Sequence, residues 1–162
     1  MRTYLGLGSN LGDRLGHLRR AIESLRQIDA RLVVSPLYET APVGGPEQGP
    51  YLNCVVRLDT ELGPFELLEL AHRLETEAGR VRTVKNGPRT LDVDVLLIEG
   101  VEVKTAELTV PHPRMYERGF VLAPLEDLDR ALVPAGWRQR LGGAATVASD
   151  VRQVGTIEGN SG

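Results

Sequence analysis

Two carboxylates one residue apart, Asp92 and Asp94, stand inside the apolar run Leu91-Asp92-Val93-Asp94-Val95-Leu96-Leu97-Ile98. Side chains alternate along a strand, so Leu91, Val93 and Val95 share one side while both acids project from the other, Cα atoms roughly 6.6 Å apart. Two bare carboxylates ~5 Å apart at an effective dielectric of about 20 repel by about 3 kcal/mol, and a divalent cation turns that cost into attraction. Asp is also a poor strand former, so the pair conflicts with its own element, as residues kept for a site do. Just upstream, Arg80, Arg82, Lys85 and Arg89 occur with no acid between Arg80 and Arg89. Carboxylates that take Mg²⁺, beside guanidinium forks that neutralise phosphate oxygens, make the donor set of a metal–polyphosphate complex. The plain alternative is a solvated sheet face with salt-bridged arginines. The absence of soft ligands nearby argues against zinc.

A second cluster is Leu108-Thr109-Val110-Pro111-His112-Pro113, followed by Arg114, Arg118, Gly119 and Phe120. Prolines on both sides of His112 restrict the backbone and can hold the imidazole against a phosphate, or it is an ordinary loop histidine. Arg118 either contacts phosphate or pairs with an acid. The third candidate joins Thr40-Ala41-Pro42-Val43-Gly44 to Tyr51-Leu52-Asn53. A stiff loop with an aromatic ring and an amide suits a flat nitrogen heterocycle, which needs stacking on its face and hydrogen bonds at its edge. Otherwise it is a surface loop with Tyr51 turned inward. Glu75 can accept from a base or ribose, although a lone helix glutamate is usually solvated, and His72 one turn earlier is equally ambiguous. Gly6-x-Gly8-x-x-x-Gly12 has one residue too many for a dinucleotide-binding turn, and no phosphate-loop motif occurs. A backbone-packing role for these glycines is the better reading.

The elements that must position these residues follow from periodicity. The chain has 162 residues, a net charge of −3 and 41% hydrophobic residues, which suits one domain over 1–162. The net charge gives no whole-molecule attraction to nucleic acid. Cys54 is the only cysteine, so an intrachain disulfide is impossible, and it reads as a small buried hydrophobe. Nothing approaches the ~20 apolar residues of a membrane helix, the start lacks a signal-peptide pattern, and a cytoplasmic monomer is expected. Residues 3–8 read as a strand, and Ser9 or Asn10 as the cap of a helix with Leu11, Leu15, Leu18, Ile22, Leu25 and Ile28 on one face. An extended stretch over 31–38, a breaker-rich loop over 40–50 and a strand over 51–60 come next.

Gly63-Pro64 opens a second helix, with Phe65, Leu67, Leu68, Ala71, Leu74 and Ala78 buried and Gly79 as its stop. Residues 80–90 form a basic loop, 91–98 the clearest strand, and Glu99-Gly100 a hairpin turn into a strand at 101–104. Short helices are expected around 114–118 and 124–132. Residues 143–162 carry no pattern and read as a poorly ordered tail. The interleaving favours an α+β sandwich, a largely antiparallel sheet carrying helices.

Taken together, Gly8-Ser9-Asn10-Leu11-Gly12, Tyr51-Leu52-Asn53, Gly79-Arg80-Val81-Arg82, Gly87-Pro88-Arg89-Thr90-Leu91-Asp92-Val93-Asp94 and Val110-Pro111-His112-Pro113 resemble, in order and spacing, the 6-hydroxymethyl-7,8-dihydropterin pyrophosphokinases of folate biosynthesis. The resemblance spans roughly residues 3–130. It implies a ferredoxin-like fold and transfer of pyrophosphate from ATP to the pterin hydroxymethyl group, releasing AMP. It further implies two Mg²⁺ ions on Asp92 and Asp94, with Arg82, Arg89, His112 and Arg118 on the phosphates. His72, Glu75, Val95 and Thr109 fall where the family meets the nucleotide. Thr40, Ala41, Pro42, Val43, Tyr51, Asn53, Asp92 and Phe120 fall where it holds the pterin. Closure of 80–90 and 40–50 over the substrates is part of that picture. Asn86, Glu107 and Pro113 depart from residues common in the family, Trp, Arg and Tyr respectively. A ligand-binding regulatory module and a nicotinamide-binding protein are the competing classes.

Overall fold

The computed structural model describes residues 1–40, 50–79, 90–142 and 152–157. Its spine is β1 (Arg2–Ser9), α1 (Arg14–Arg26), β2 (Val33–Val34), β3 (Leu37–Thr40), β4 (Tyr51–Asp59), α2 (Pro64–Glu77) and β5 (Asp92–Ile98). The strands stand in the order β5-β1-β4-β3, every pair antiparallel, with β2 also on β4. That order with two crossover helices is the βαββαβ arrangement of the ferredoxin-like α+β sandwich.

Period-two alternation gives the sheet two faces. One carries Leu5, Leu7, Leu52, Cys54, Val56, Val93 and Val95 against Leu18, Ile22 and Leu25 of α1 and Leu67, Ala71 and Leu74 of α2. Burial pushes the Cys54 thiol up to about 12, so it stays a neutral hydrophobe. The other face carries Tyr4, Val55 and Leu96 against Met115, Val121 and Leu125. The last two come from α3 (Gly119–Leu128).

A bulge re-aims the end of β5. Plain alternation already places Leu96 with Asp92 and Asp94 on the α3 side. Tyr4 pairs with Leu97 but Leu5 with Val95, so Leu96 is the extra residue and the parity reverses beyond it, Leu97 packing on the α3 side and Ile98 in the helix-side core.

Several local expectations are corrected. Ser9 lies within β1 and is fully buried, and the cap of α1 is Asp13, whose Oδ1 accepts the Gly16 N–H at 3.0 Å. Leu11 and Phe65 are exposed, and Leu70 takes the buried place on α2. The α2 stop at Gly79 does have the left-handed conformation, φ +75°.

The Glu99-Gly100 turn forms, but β6 (Val103–Lys104) leaves β5 and pairs with β7 (Thr109–Val110). Thr105 accounts for this: its N–H and Oγ1 both donate to the Leu108 carbonyl and its Oγ1 accepts the Leu108 N–H, closing a more local ribbon. The helix expected at 124–132 begins instead at Gly119 and runs through Pro124, because residues 121–125 are all buried and packing outweighs propensity.

Past α4 (Trp137–Gly142), residues read as a tail contain β8 (Arg152–Gly155), which pairs with β3, and Ile157, which is buried in the helix-side core. Among the described residues no helix is long and apolar enough to cross a membrane.

Candidate active site

The site begins with register. Gly8 of β1 pairs with Asp92 on one side and Asn53 on the other, and Gly6 pairs with Asp94 and Val55. Directly paired residues share a face, so Asp92, Gly8 and Asn53 form one row across three strands, the two side chains roughly 10 Å apart over a residue with none. A Cβ at Gly8 would stand 2.6 Å from Asn53 Oδ1 and 3.5 Å from Tyr51 Cδ1. Glycine is what lets the Asn53 amide lie over the strand.

The packing role expected of Gly6 and Gly8 is what the structure shows, Leu96 and Asn53 lying where their side chains would be; two glycines at i and i+2 in a strand are the sequence signal for it.

At the Asn53 end, β3 and β4 finish with the pair Thr40 and Tyr51. Asn53 Nδ2 donates to Thr40 Oγ1 at 3.0 Å, and both residues are buried. That bond orients the amide, leaving its carbonyl oxygen toward Gly8. Ala41, Pro42 and Val43 lie outside the described residues.

At the acidic end, Asp92 and Asp94 are half-buried on the face away from α1 and α2, as their alternation predicts. Arg118 Nη1 stands 3.8 Å from Asp94 Oδ2, and its guanidinium carbon lies 5.6 Å from the Phe120 ring centroid. The bulge residue Leu96 offers its carbonyl to the His112 N–H at 2.8 Å, tying the proline-flanked segment to β5.

The Arg114 N–H donates to His112 Nδ1 at 3.1 Å, so the neutral imidazole carries its proton on Nε2. Burial, then Arg118 and Arg114, lowers the His112 pKa from 6.5 to about 4. Near neutral pH His112 is therefore a neutral donor beside two cations.

Glu75 is neither solvated nor turned outward. It is 4% exposed, and its Oε2 accepts the Val93 N–H at 2.9 Å, between the two acids of β5. His72 is exposed on α2. The Val95 side chain is buried in the helix-side core, which leaves only its backbone for a nucleotide. Thr109 is half-buried in β7. Arg82 and Arg89 lie outside the described residues, as do Asn86 and the rest of the basic loop over 80–89.

The donor set suits a hard cation. Among the described residues no three or more of His, Cys, Asp and Glu gather into a metal cage. Mg²⁺ is ordinarily held by one or two carboxylates together with substrate phosphates, which is what a lone pair of acids beside Arg118 and His112 can supply.

Comparison with known proteins decides the family. Residues 4–130 match the profile described as 7,8-dihydro-6-hydroxymethylpterin-pyrophosphokinase. The chain belongs to that family. The 7,8-dihydro-6-hydroxymethylpterin-pyrophosphokinases are transferases, and three relatives illustrate the similarity.

The 2-amino-4-hydroxy-6-hydroxymethyldihydropteridine pyrophosphokinase of Bacillus subtilis (strain 168) is 53% identical over 128 residues, covering 78% of this chain and 77% of the relative. A protein of the same name from Methylorubrum extorquens is 44% identical over 137 residues, covering 83% and 87%. The mitochondrial folate synthesis bifunctional protein of Pisum sativum is 44% identical over 127 residues, 78% of this chain but 25% of the relative. In that longer protein the matched region occupies only a fraction of the length. Phe120, Arg118, His112, Asp94 and Asp92 all fall within the matched span, whereas β8 and Ile157 lie beyond it.

Proposed function

We propose that this chain transfers the β,γ-pyrophosphoryl unit of ATP to the hydroxymethyl oxygen of 6-hydroxymethyl-7,8-dihydropterin. The pterin oxygen forms a bond to the β-phosphorus, the bond between that phosphorus and the α,β-bridging oxygen breaks, the hydroxyl proton is lost, and AMP leaves. Asp92 and Asp94 hold two Mg²⁺ ions, which when bound offset the charge on the phosphate oxygens.

The observation that carries the reading is the row Asp92, Gly8, Asn53: a carboxylate and a heterocycle-reading amide on one face, with a residue that has no side chain between them. A flat ring set against this row can meet Asn53 at its edge and Phe120 at its face while its hydroxymethyl arm reaches toward Asp92. Thr40, Tyr51 and the segment with Ala41, Pro42 and Val43 complete the pterin side.

On the nucleotide side Arg118 and the neutral His112 Nε2–H donate to phosphate oxygens, with Arg82 and Arg89 supplying further guanidinium forks. His72, Thr109 and the Val95 backbone line the nucleoside. Glu75 acts one step removed: its hold on the Val93 N–H keeps β5 straight between Asp92 and Asp94. Positioning and charge neutralisation are the means of acceleration.

Incubation with MgATP and 6-hydroxymethyl-7,8-dihydropterin yields AMP and pterin diphosphate. Accumulation of ADP, or Mg²⁺-dependent binding of an ATP analogue that survives Asp92→Ala with Asp94→Ala, sinks the reading.

A further inference from the structure

We propose that Arg14 is a positioning residue for the pterin side of the site, acting from the opposite face of the sheet by stapling the end of the β3–β4 ladder. The inference rests on the pterin assignment of Thr40, Tyr51 and Asn53 made above.

One nitrogen of its guanidinium, Nη1, donates to Glu39 Oε2 at 3.0 Å and to the Pro50 carbonyl at 2.9 Å. Glu39 immediately precedes Thr40, and Pro50 immediately precedes Tyr51. Thr40 and Tyr51 are the last pair of the ladder. The guanidinium thus bridges the two strands at the point where their pairing stops, across from Asn53 and its bond to Thr40.

A ladder end with no such tie frays, because its terminal pair has a neighbour on one side only. Fraying here separates Thr40 from Tyr51 and releases the Asn53 amide from the orientation that its bond to Thr40 imposes.

The local sequence is built to aim this side chain. Gly12 takes a left-handed turn at φ +70°, Asp13 caps α1, and Arg14 is the first residue of the helix. The turn, the cap and the staple occupy three consecutive residues, Gly12-Asp13-Arg14. The charge on Glu39 and the partial burial of the pair, side-chain exposures 32% and 17%, make the bond stronger than a surface contact. On its outer side lies a cavity of about 260 Å³ lined by Asp13, Arg14, Glu39, Leu52 and Val154. A side chain of different shape at position 14 has room there, so loss on substitution reports the hydrogen bonds and not overpacking.

Arg14→Met keeps the stem and removes both bonds, while Arg14→Lys keeps one charged donor. Two measurements on the full chain separate the outcomes. Amide hydrogen exchange of the ligand-free protein is expected to quicken about tenfold over 38–40 and 51–53 in Arg14→Met, with 54–58 and β1 unchanged, and to lie between parent and Met in Arg14→Lys. Calorimetry is expected to give a pterin Kd raised about tenfold in Arg14→Met, partly restored in Arg14→Lys, with Mg²⁺-dependent binding of the ATP analogue within about twofold of the parent. Unchanged exchange at the ladder end overturns the staple, as does equal weakening of pterin and nucleotide, which marks a role in general folding. If Arg14→Met does not fold, Arg14→Lys carries the same test. Locally quickened exchange in a protein whose parent binds no pterin overturns the functional reading and leaves the staple as a structural device.

Discussion

Replacing Gly8 by Ala tests the geometry on which the site depends. Gly8 lies inside β1, and its backbone is not left-handed, so alanine adds no conformational strain. The whole cost falls on the new methyl, which would stand 2.6 Å from Asn53 Oδ1, 0.4 Å inside the 3.0 Å that real Cβ contacts respect. Asn53 is 6% exposed and has little room to retreat.

If its amide swings away, the 3.0 Å bond to Thr40 Oγ1 is lost and a buried polar group is left unsatisfied, at about 1–3 kcal/mol. If the amide stays, the β1–β4 spacing must open, an overpacking cost of about 1–3 kcal/mol. Either route predicts a destabilisation of about 1–3 kcal/mol in urea melts and a rise of roughly 10- to 100-fold in the pterin Kd.

Gly6→Ala is the matched control. Its Cβ meets only the Leu96 side-chain end, at 3.3 Å from Cδ1, which a small rotation relieves, so its stability should stay within about 1 kcal/mol of the parent. Equal losses in the two variants, or a Gly8→Ala protein that binds pterin as the parent does, would refute the argument that Asn53 is held over a bare strand.

Two further outcomes follow from the buried polar groups. Glu75→Ala strands the Val93 N–H in the core and is expected to cost about 1–3 kcal/mol and to weaken Mg²⁺-dependent binding of an ATP analogue, whereas Glu75→Gln keeps an acceptor oxygen and much of both. Matching urea melts and matching binding in the two variants would remove the positioning role. His112 makes stability depend on pH: its folded pKa, about 4, lies below its ordinary 6.5, so the unfolded chain takes the proton first. The contribution is complete above pH 6.5, is lost as pH falls toward 4, and is flat below; after allowance for solvent screening its size is about 1–2 kcal/mol. Denaturant melts from pH 7 to pH 4 should show His112→Asn losing correspondingly less stability than the parent, and parallel curves for the two proteins would contradict this.

Much of the molecule is readable along the chain. The alternation of Leu91, Val93 and Val95 against Asp92 and Asp94 decides that both acids share a face, because a strand has a period of two whatever it packs against. The steps of three and four in α2 and its stop at Gly79 are set just as locally. A local signal fails where it competes with a distant one. Ser9 is a good cap by type, yet β1 runs through it and Asp13 serves instead. Pro124 breaks helices by type, yet burial of residues 121–125 carries α3 through it.

What lay beyond sequence reading is the meeting of residues far apart in the chain. Sequence separation says nothing of register, so that Asn53 and Asp92 flank Gly8 is known only from how β4 and β5 pair with β1. The bulge at Leu96, the burial of Glu75 against Val93, the Arg14 bridge and the docking of β8 on β3 are all of this kind. Residue types and short-range period determine which side chains can do the chemistry. Only the summed packing of the two faces, a property of no single segment, decides which strands align and hence which of those side chains meet.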